Sequence, residues 1–287
     1  MKISVITINW NNAEGLRKTI ESVISQTVPP FEFIIIDGAS TDGSVDVIKE
    51  HASGITCWVS EKDKGIYNAM NKGVAKATGE WCIFMNSGDC FAGPNVIEQL
   101  RDSKADADII CGNTRFPDRP DAPKRHPDSM TFEYLFDTAI NHQSALIRTS
   151  LLRKYPYDEQ LKIVSDRKFF LQALILDNCS YQNLDIDIAE YDITGFSSRN
   201  RLETRLEYDR VLEELIPERI RKDYGARQKG ALYGDGQFEK MFYDIGTRNF
   251  RKPVYKLVNG LLRAVALLSP RARFIRKFPF SGKKSSI

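Results

Sequence analysis

Apolar and polar positions follow two rhythms along the first 110 residues. Ile3-Ser4-Val5-Ile6-Thr7-Ile8 is a β-branched run and Phe31 to Ile36 a near-continuous apolar one; Ile55 to Val59 and Trp81 to Met85 repeat the theme. Runs of this length predict strands buried on both faces. Between them the spacing turns helical. Leu16, Ile20, Val23 and Ile24 share one face ahead of Pro29-Pro30, Val45, Val47 and Ile48 mark a second helix, and Ile66, Ala69, Met70, Val74 and Ala77 a third over Gly65 to Ala77. Short strands separated by helices predict a parallel sheet covered on both sides, an α/β fold. Such sheets bind ligands outside the carboxyl ends of their strands. Three polar clusters fall there: Asn9-Trp10-Asn11, Asp37-Gly38 and Asn86-Ser87-Gly88-Asp89.

Beyond residue 110 the pattern loosens. Arg115 to Ser129 holds four prolines and reads as a loop or hairpin. Ser144 to Ile147 and Tyr181 to Tyr191 predict strands, with Ser165 to Leu176 a helix between them and Arg199 to Ile216 a charged amphipathic helix after them. Val254, Leu257, Val258, Leu261, Leu262, Val265 and Leu268 form a further apolar helical stripe.

Composition narrows the classes. With 287 residues, 42% hydrophobic and 28% charged, the chain is a folded protein and not a disordered, collagenous or coiled-coil one. No stretch approaches the roughly 20 apolar residues of a membrane span. MKISVITINW lacks a leader-like charged and apolar segment, and five cysteines without a C-x-x-C pair suit a reducing compartment, so a cytoplasmic chain is expected. The net charge of +3 is uneven: residues 251–287 hold ten Lys or Arg and no Asp or Glu, which leaves 1–250 at −7. Nucleic acid and an anionic membrane surface both suit such a tail. There is no G-x-x-x-x-G-K-[ST] loop and no G-x-G-x-x-G after the first strand, which argues against a P-loop NTPase and a standard dinucleotide oxidoreductase, and zinc spacing such as H-E-x-x-H is absent.

Several segments together resemble the family 2 glycosyltransferases. They are Thr7-Ile8-Asn9-Trp10-Asn11, Ser25-Gln26-Thr27, Ile36-Asp37-Gly38-Ala39-Ser40-Thr41-Asp42-Gly43-Ser44, Ser60 through Gly73, Ala77-Thr78-Gly79-Glu80 and Phe84-Met85-Asn86-Ser87-Gly88-Asp89. The resemblance spans roughly residues 2–200. It implies a GT-A fold, Rossmann-like with a mostly parallel sheet, a nucleoside-diphosphate sugar donor, a divalent cation (Mn²⁺ or Mg²⁺) and inversion at the anomeric carbon. It divides the chain into a catalytic domain at 1–200, with a nucleotide-sugar half at 1–110 and an acceptor half at 111–200, and a helical extension at 201–287.

The resemblance also assigns residues. Asp37 matches the acid that receives the donor's uracil or ribose, a fitting acceptor for ring N–H or hydroxyl groups, while Thr7 and Asn11 sit where the first strand meets the base. Asp63, Asn68, Asn71 and Lys72 match the donor-binding segment; capping the helix near Gly65 is their competing role. Asp89 matches the last acid of the D-x-D signature and so the metal ligand. Asn86, Ser87 and Gly88 stand where other members often have Asp, leaving a single carboxylate in that segment. Asp166 matches the catalytic base, His142-Gln143 the segment lining the donor sugar, and Gly195-Phe196-Ser197-Ser198, with Arg199 or Arg201, the loop over the diphosphate.

The expected enzyme transfers a sugar, from a UDP-sugar, to a glycan or lipid-linked acceptor in bacterial surface polysaccharide synthesis. It works at the inner face of the plasma membrane, bound through 251–287, with no role for nucleic acid. Two competitors are weaker. A sugar-nucleotide pyrophosphorylase needs a Gly-rich basic loop where Asn9-Trp10-Asn11-Asn12 stands, and a non-catalytic glycan-binding module has no use for Asp37, Asp89 and Asp166 together.

Overall fold

Ile3–Asn9 forms β1, the strand around which the rest is built, and every one of its residues is buried. The computed structural model describes residues 1–118, 122–192 and 200–230. β1 pairs in parallel with β2 (Glu32–Asp37) and β4 (Trp81–Phe84), and β2 with β3 (Cys57–Ser60). Beyond these strands the sheet is mixed, in keeping with the mostly parallel sheet expected. β7 (Ala145–Arg148) runs antiparallel to both β4 and β6 (Ile109–Arg115), β8 (Tyr181–Glu190) is parallel to β6, and the two-residue β5 (Cys90–Phe91) closes the edge against β8. The order is β3-β2-β1-β4-β7-β6-β8-β5.

The reversal has a spatial result. β7 follows directly from a 3₁₀ turn, His142–Ser144, and runs back along β4. Its first residues therefore lie beside the last residues of β4, so His142-Gln143 arrives at the strand end that carries Asn86 to Asp89.

Two apolar layers hold the sheet. Ile3 and Val5 face α1 (Ala13–Ile24) through Leu16, Ile20 and Val23, while Ile6 and Ile8 share the opposite layer with Met70 and Val74 of α3 (Ile66–Lys76). Each such fully buried aliphatic contributes about 1.5–3 kcal/mol, so the helices rather than strand pairing alone fix β1. α3 comes so close that a Cβ at Gly73 would stand 2.5 Å from Ile6 Cγ2. Glycine is what permits that approach. Asn12 caps α1 by accepting from the Gly15 N–H. The remaining helices are α2 (Ser44–Glu50), α4 (Val96–Asp102), α5 (Phe132–Asp137), α6 (Thr149–Lys154) and α7 (Ser165–Phe170), which runs on as a π-helical turn, Leu171–Leu176.

The first compact unit ends at Ile216, later than the boundary at 200 drawn from the sequence. The reason is α8 (Arg201–Leu215): Tyr208, Val211, Leu212 and Ile216 are buried in the same layer as β1 and α7. Glu207 of α8 accepts the backbone N–H groups of Lys162, Ile163 and Val164, and Glu214 pairs with Lys168. The second unit starts at Pro217, and within it α9 (Glu218–Gly230) is described. The apolar stripe from Val254, the basic residues of 251–287 and the loop at 195–198 with Arg199 lie outside the described residues. No helix among the described residues is long and apolar enough to cross a membrane.

Candidate active site

The carboxyl ends of β1, β4, β6 and β8 and the leading end of β7 converge on one cavity of about 780 Å³. Asn9, at the end of β1, and Trp10 and Asn12 beyond it come to its wall, with Asn86, Ser87 and Asp89 from beyond β4, His142 and Gln143 from the 3₁₀ turn, and Asp166 and Arg167 from the first turn of α7. Asp63, Gly65, Ile66 and Tyr67 form another stretch, and Tyr191 and Asp192 close it beyond β8. Trp10 stands 70% exposed at the rim and Ile66 42%.

Asp89 is buried. Its Oδ1 accepts the Asp192 backbone N–H at 2.8 Å and its Oδ2 the Gln143 side-chain amide at 2.9 Å. Burial pushes its carboxyl up to about 6, with those two hydrogen bonds pulling the other way and the Asp192 charge adding to the rise. Gly88 at φ +106° makes the turn, and a Cβ there would stand 2.6 Å from an Asp192 carboxylate oxygen. Two carboxylates are thus gathered at one turn, and Asn86 Oδ1 beside them is buried without a partner. Sequence reasoning did not single out Asp192, which is distant in the chain and lies in no recognised motif.

Among the described residues no three His, Cys, Asp or Glu side chains converge on one point. The donor set nevertheless fits one kind of cation. A hard divalent ion held by one or two carboxylates and completed by substrate phosphate oxygens would offset the burial that raises Asp89.

Asp166 and His142 sit on the other side, 15% and 16% exposed, with Nδ1 of the imidazole 3.1 Å from Asp166 Oδ2. Asp166 Oδ1 accepts the Arg167 N–H at 2.9 Å and the Tyr67 hydroxyl at 3.3 Å. Burial keeps the Tyr67 hydroxyl protonated, raising it well above the ordinary tyrosine value. One lone pair, on Oδ2, remains for a ligand. The Arg167 guanidinium lies over the Tyr208 ring, 3.2 Å from its centroid, and donates to the Leu135 carbonyl; burial lowers its pKa.

Asp37 is built differently. Its four acceptor positions are filled by the Asn9 amide, the Ser40 hydroxyl, the Ser40 N–H and the Ser60 hydroxyl, at 2.6–3.0 Å. Burial alone would raise its pKa, but these bonds outweigh it and the group ends below the ordinary carboxylate value. It does not line the cavity. Asn9 does, and since its Nδ2 is committed to Asp37, its Oδ1 is left buried without a partner.

Of the ten residues singled out from sequence, Asp63, Asp89, His142 and Asp166 reach the cavity wall. The others are occupied elsewhere. Thr7 is fully buried and donates to the Met85 carbonyl. Asn11, at φ 47°, accepts the Thr41 N–H. Asn68 and Asn71 donate to Glu159, Asn71 also to the Tyr157 carbonyl, and Lys72 pairs with Glu61. These last three brace α3 against its neighbours and do not face the cavity.

This arrangement has counterparts. A profile of the family described as Glycosyl transferase family 2 matches residues 4–163. An uncharacterized glycosyltransferase of Mycobacterium tuberculosis is 33% identical over 205 residues, covering 68% of this chain and 77% of its own. Two solved structures share the fold, each with TM-score 0.60. Staphylococcus aureus TarS 1–349 in complex with UDP is 16% identical over 89% of this chain and 78% of its own. The mannosyltransferase PcManGT of Pyrobaculum calidifontis in complex with GDP-Man and Mn²⁺ is 14% identical over 94% and 81%. The fold is GT-A, and a chain matched by this profile over more than half its length, with polar groups converging where a GT-A sheet opens, belongs to glycosyl transferase family 2 and is a sugar-transferring enzyme.

Proposed function

We infer that the protein is an inverting glycosyltransferase that takes its sugar from a UDP-sugar and delivers it to a lipid-linked glycan of a bacterial surface polysaccharide. One observation carries this reading: Asp89 and Asp166 line the same cavity from different elements, one at the end of β4 and one at the start of α7. A single displacement needs that division. The acceptor hydroxyl gives its proton to Asp166 Oδ2 as its oxygen bonds to the anomeric carbon, and the bond to the diphosphate breaks on the opposite face.

Asp89, with Asp192 beside it, would hold a Mn²⁺ or Mg²⁺ ion. When bound, such an ion neutralises charge gathering on the leaving diphosphate. Mn²⁺ accompanies the nucleotide sugar in the Pyrobaculum enzyme, and UDP occupies TarS. At the nucleotide end, Trp10 offers an exposed ring face for the base. The orphaned Asn9 Oδ1 offers an acceptor for a lactam N–H, which uracil has and cytosine lacks. Asp37 then serves the base through Asn9, by fixing which way the amide points. Residues 251–287, with ten basic and no acidic residues, suit an anionic membrane surface, where each basic residue adds about 1 kcal/mol.

The test is a panel of UDP- and GDP-sugars, each with and without Mn²⁺, read by melting temperature and nucleoside-diphosphate release. A UDP-sugar that stabilises only with the ion, and is turned over, bears the reading out; stabilisation by GDP-sugars alone overturns the donor. Sedimentation of the full chain with vesicles containing phosphatidylglycerol, weakening as salt rises, tests the membrane surface.

A further inference from the structure

The hydrogen bonds around His142 form a chain that neither the metal turn nor the base explains alone. Its Nδ1 lies 3.1 Å from Asp166 Oδ2 and its Nε2 3.1 Å from Asn86 Nδ2. A carboxylate only accepts, so Nδ1 carries a proton; an amide NH₂ only donates, so Nε2 carries none. Each partner fixes the same neutral tautomer. The ring is also held edge-on against Phe84, with centroids 6.3 Å apart and planes at 89°. It is 16% exposed and has little room to turn.

We propose that His142 is a positioning residue for the base: it donates from Nδ1 to Asp166 and ties that carboxylate to Asn86 in the turn that carries Asp89. This rests on Asp166 being the base. The oxygen gripped by His142 is Oδ2, the one with a lone pair left for the acceptor hydroxyl, since Tyr67 and the Arg167 N–H occupy Oδ1. Without the imidazole, Oδ2 could swing about the Cβ–Cγ bond, and a misplacement of about 1 Å can cost on the order of 10²-fold in rate. With it, the base and the phosphate-side turn keep one spacing. The role differs from lining the donor sugar, because the polar atoms of the ring are both spent on protein.

The tie can be read without any substrate. The chain has three histidines, His51, His126 and His142, so ¹⁵N-histidine NMR of the full-length protein resolves each ring. The expected result is a neutral His142 with its proton on Nδ1, and a shift of population toward Nε2–H in Asp166→Asn. A proton on Nε2 in the wild type overturns the proposal, whatever the variants do. Turnover gives the second reading, using the panel donor with the fastest nucleoside-diphosphate release. An asparagine amide nitrogen overlays Nδ1 and a glutamine amide nitrogen overlays Nε2. His142→Asn should therefore keep kcat within about 3-fold, whereas His142→Gln loses about 10–100-fold with donor KM little changed. The reverse order, equal losses, or a raised donor KM at unchanged kcat overturns the proposal. Asp166→Asn is run beside them. If it keeps its turnover, the base assignment has failed, and the tautomer in the wild type still decides whether the tie exists.

Discussion

Two buried carboxylates stand at the ends of the two strands that flank β1 and have been finished to different degrees. Asp37, at the end of β2, has all four acceptor positions filled by protein donors and is easier to ionise than a free aspartate. Asp89, just beyond β4, has two protein donors and is harder to ionise, near pH 6. Both are out of solvent, but Asp89 lies deeper and has two protein donors where Asp37 has four, and both differences drive the pair apart. A completed carboxylate is a joint of the framework. An incomplete one facing a cavity is a place for something not made of protein. Asp166, with three positions filled and one open, lies between the two, as a group that must be both held and available.

The contrast can be broken at four points. The largest effect is expected at Asp166: Asp166→Asn should lower turnover by about 10²–10⁴-fold while the donor-induced rise in melting temperature persists, because the amide cannot take the proton. Retention of more than a tenth of the activity would move the base elsewhere. Next is the incomplete carboxylate. Asp89→Asn, or chelation of the wild type with EDTA, should cost about 10²–10³-fold in nucleoside-diphosphate release; full activity in EDTA would show that side chains alone stabilise the leaving group.

The third effect falls on stability and not on chemistry. Asp37→Asn places an NH₂ among four donors, and denaturant titration should show a loss of about 3 kcal/mol. Because the Asp37 pKa is lowered by folding, its contribution is present above the ordinary carboxylate pKa and lost as pH falls, so the gap to wild type should close in acid. The smallest effect has the opposite sign. Asp89 is raised by folding, so its contribution is full below the ordinary value and lost as pH rises through about 6. Metal-free Asp89→Asn should accordingly melt a few degrees above wild type at pH 7, with the difference shrinking toward pH 4. Adding Mn²⁺ should stabilise wild type but not the variant.

Much of this was legible before the fold was seen, for reasons that differ by residue. The strands β1 to β4 and helices α1 and α3 announce themselves through short-range periodicity. Asp89, His142 and Asp166, which line the cavity, each sit in a compact local motif. What the sequence hid was pairing across distance. β7 runs antiparallel to β4 and β6, a direction that no periodicity reports. Asn68, Asn71 and Lys72 have the residue types of ligand contacts, and only the position of Glu159 and Glu61 reveals them as braces. Asp192 meets Asp89 only in the folded sheet. Asn9 stood in a quoted motif, but its importance depends on an oxygen left over after Asp37 has been served.

The grip of Glu207 on the backbone N–H groups of Lys162, Ile163 and Val164 has a consequence in time. That carboxylate is made some forty residues after the turn it secures. At roughly 5–20 residues per second of synthesis, that turn and the helix it opens wait on the order of seconds for their anchor to be made. A nascent chain therefore carries the start of α7 before it carries the group that satisfies those three N–H donors. The order of synthesis makes α8 the closing element of its layer, since Tyr208, Val211 and Leu212 are buried there as well.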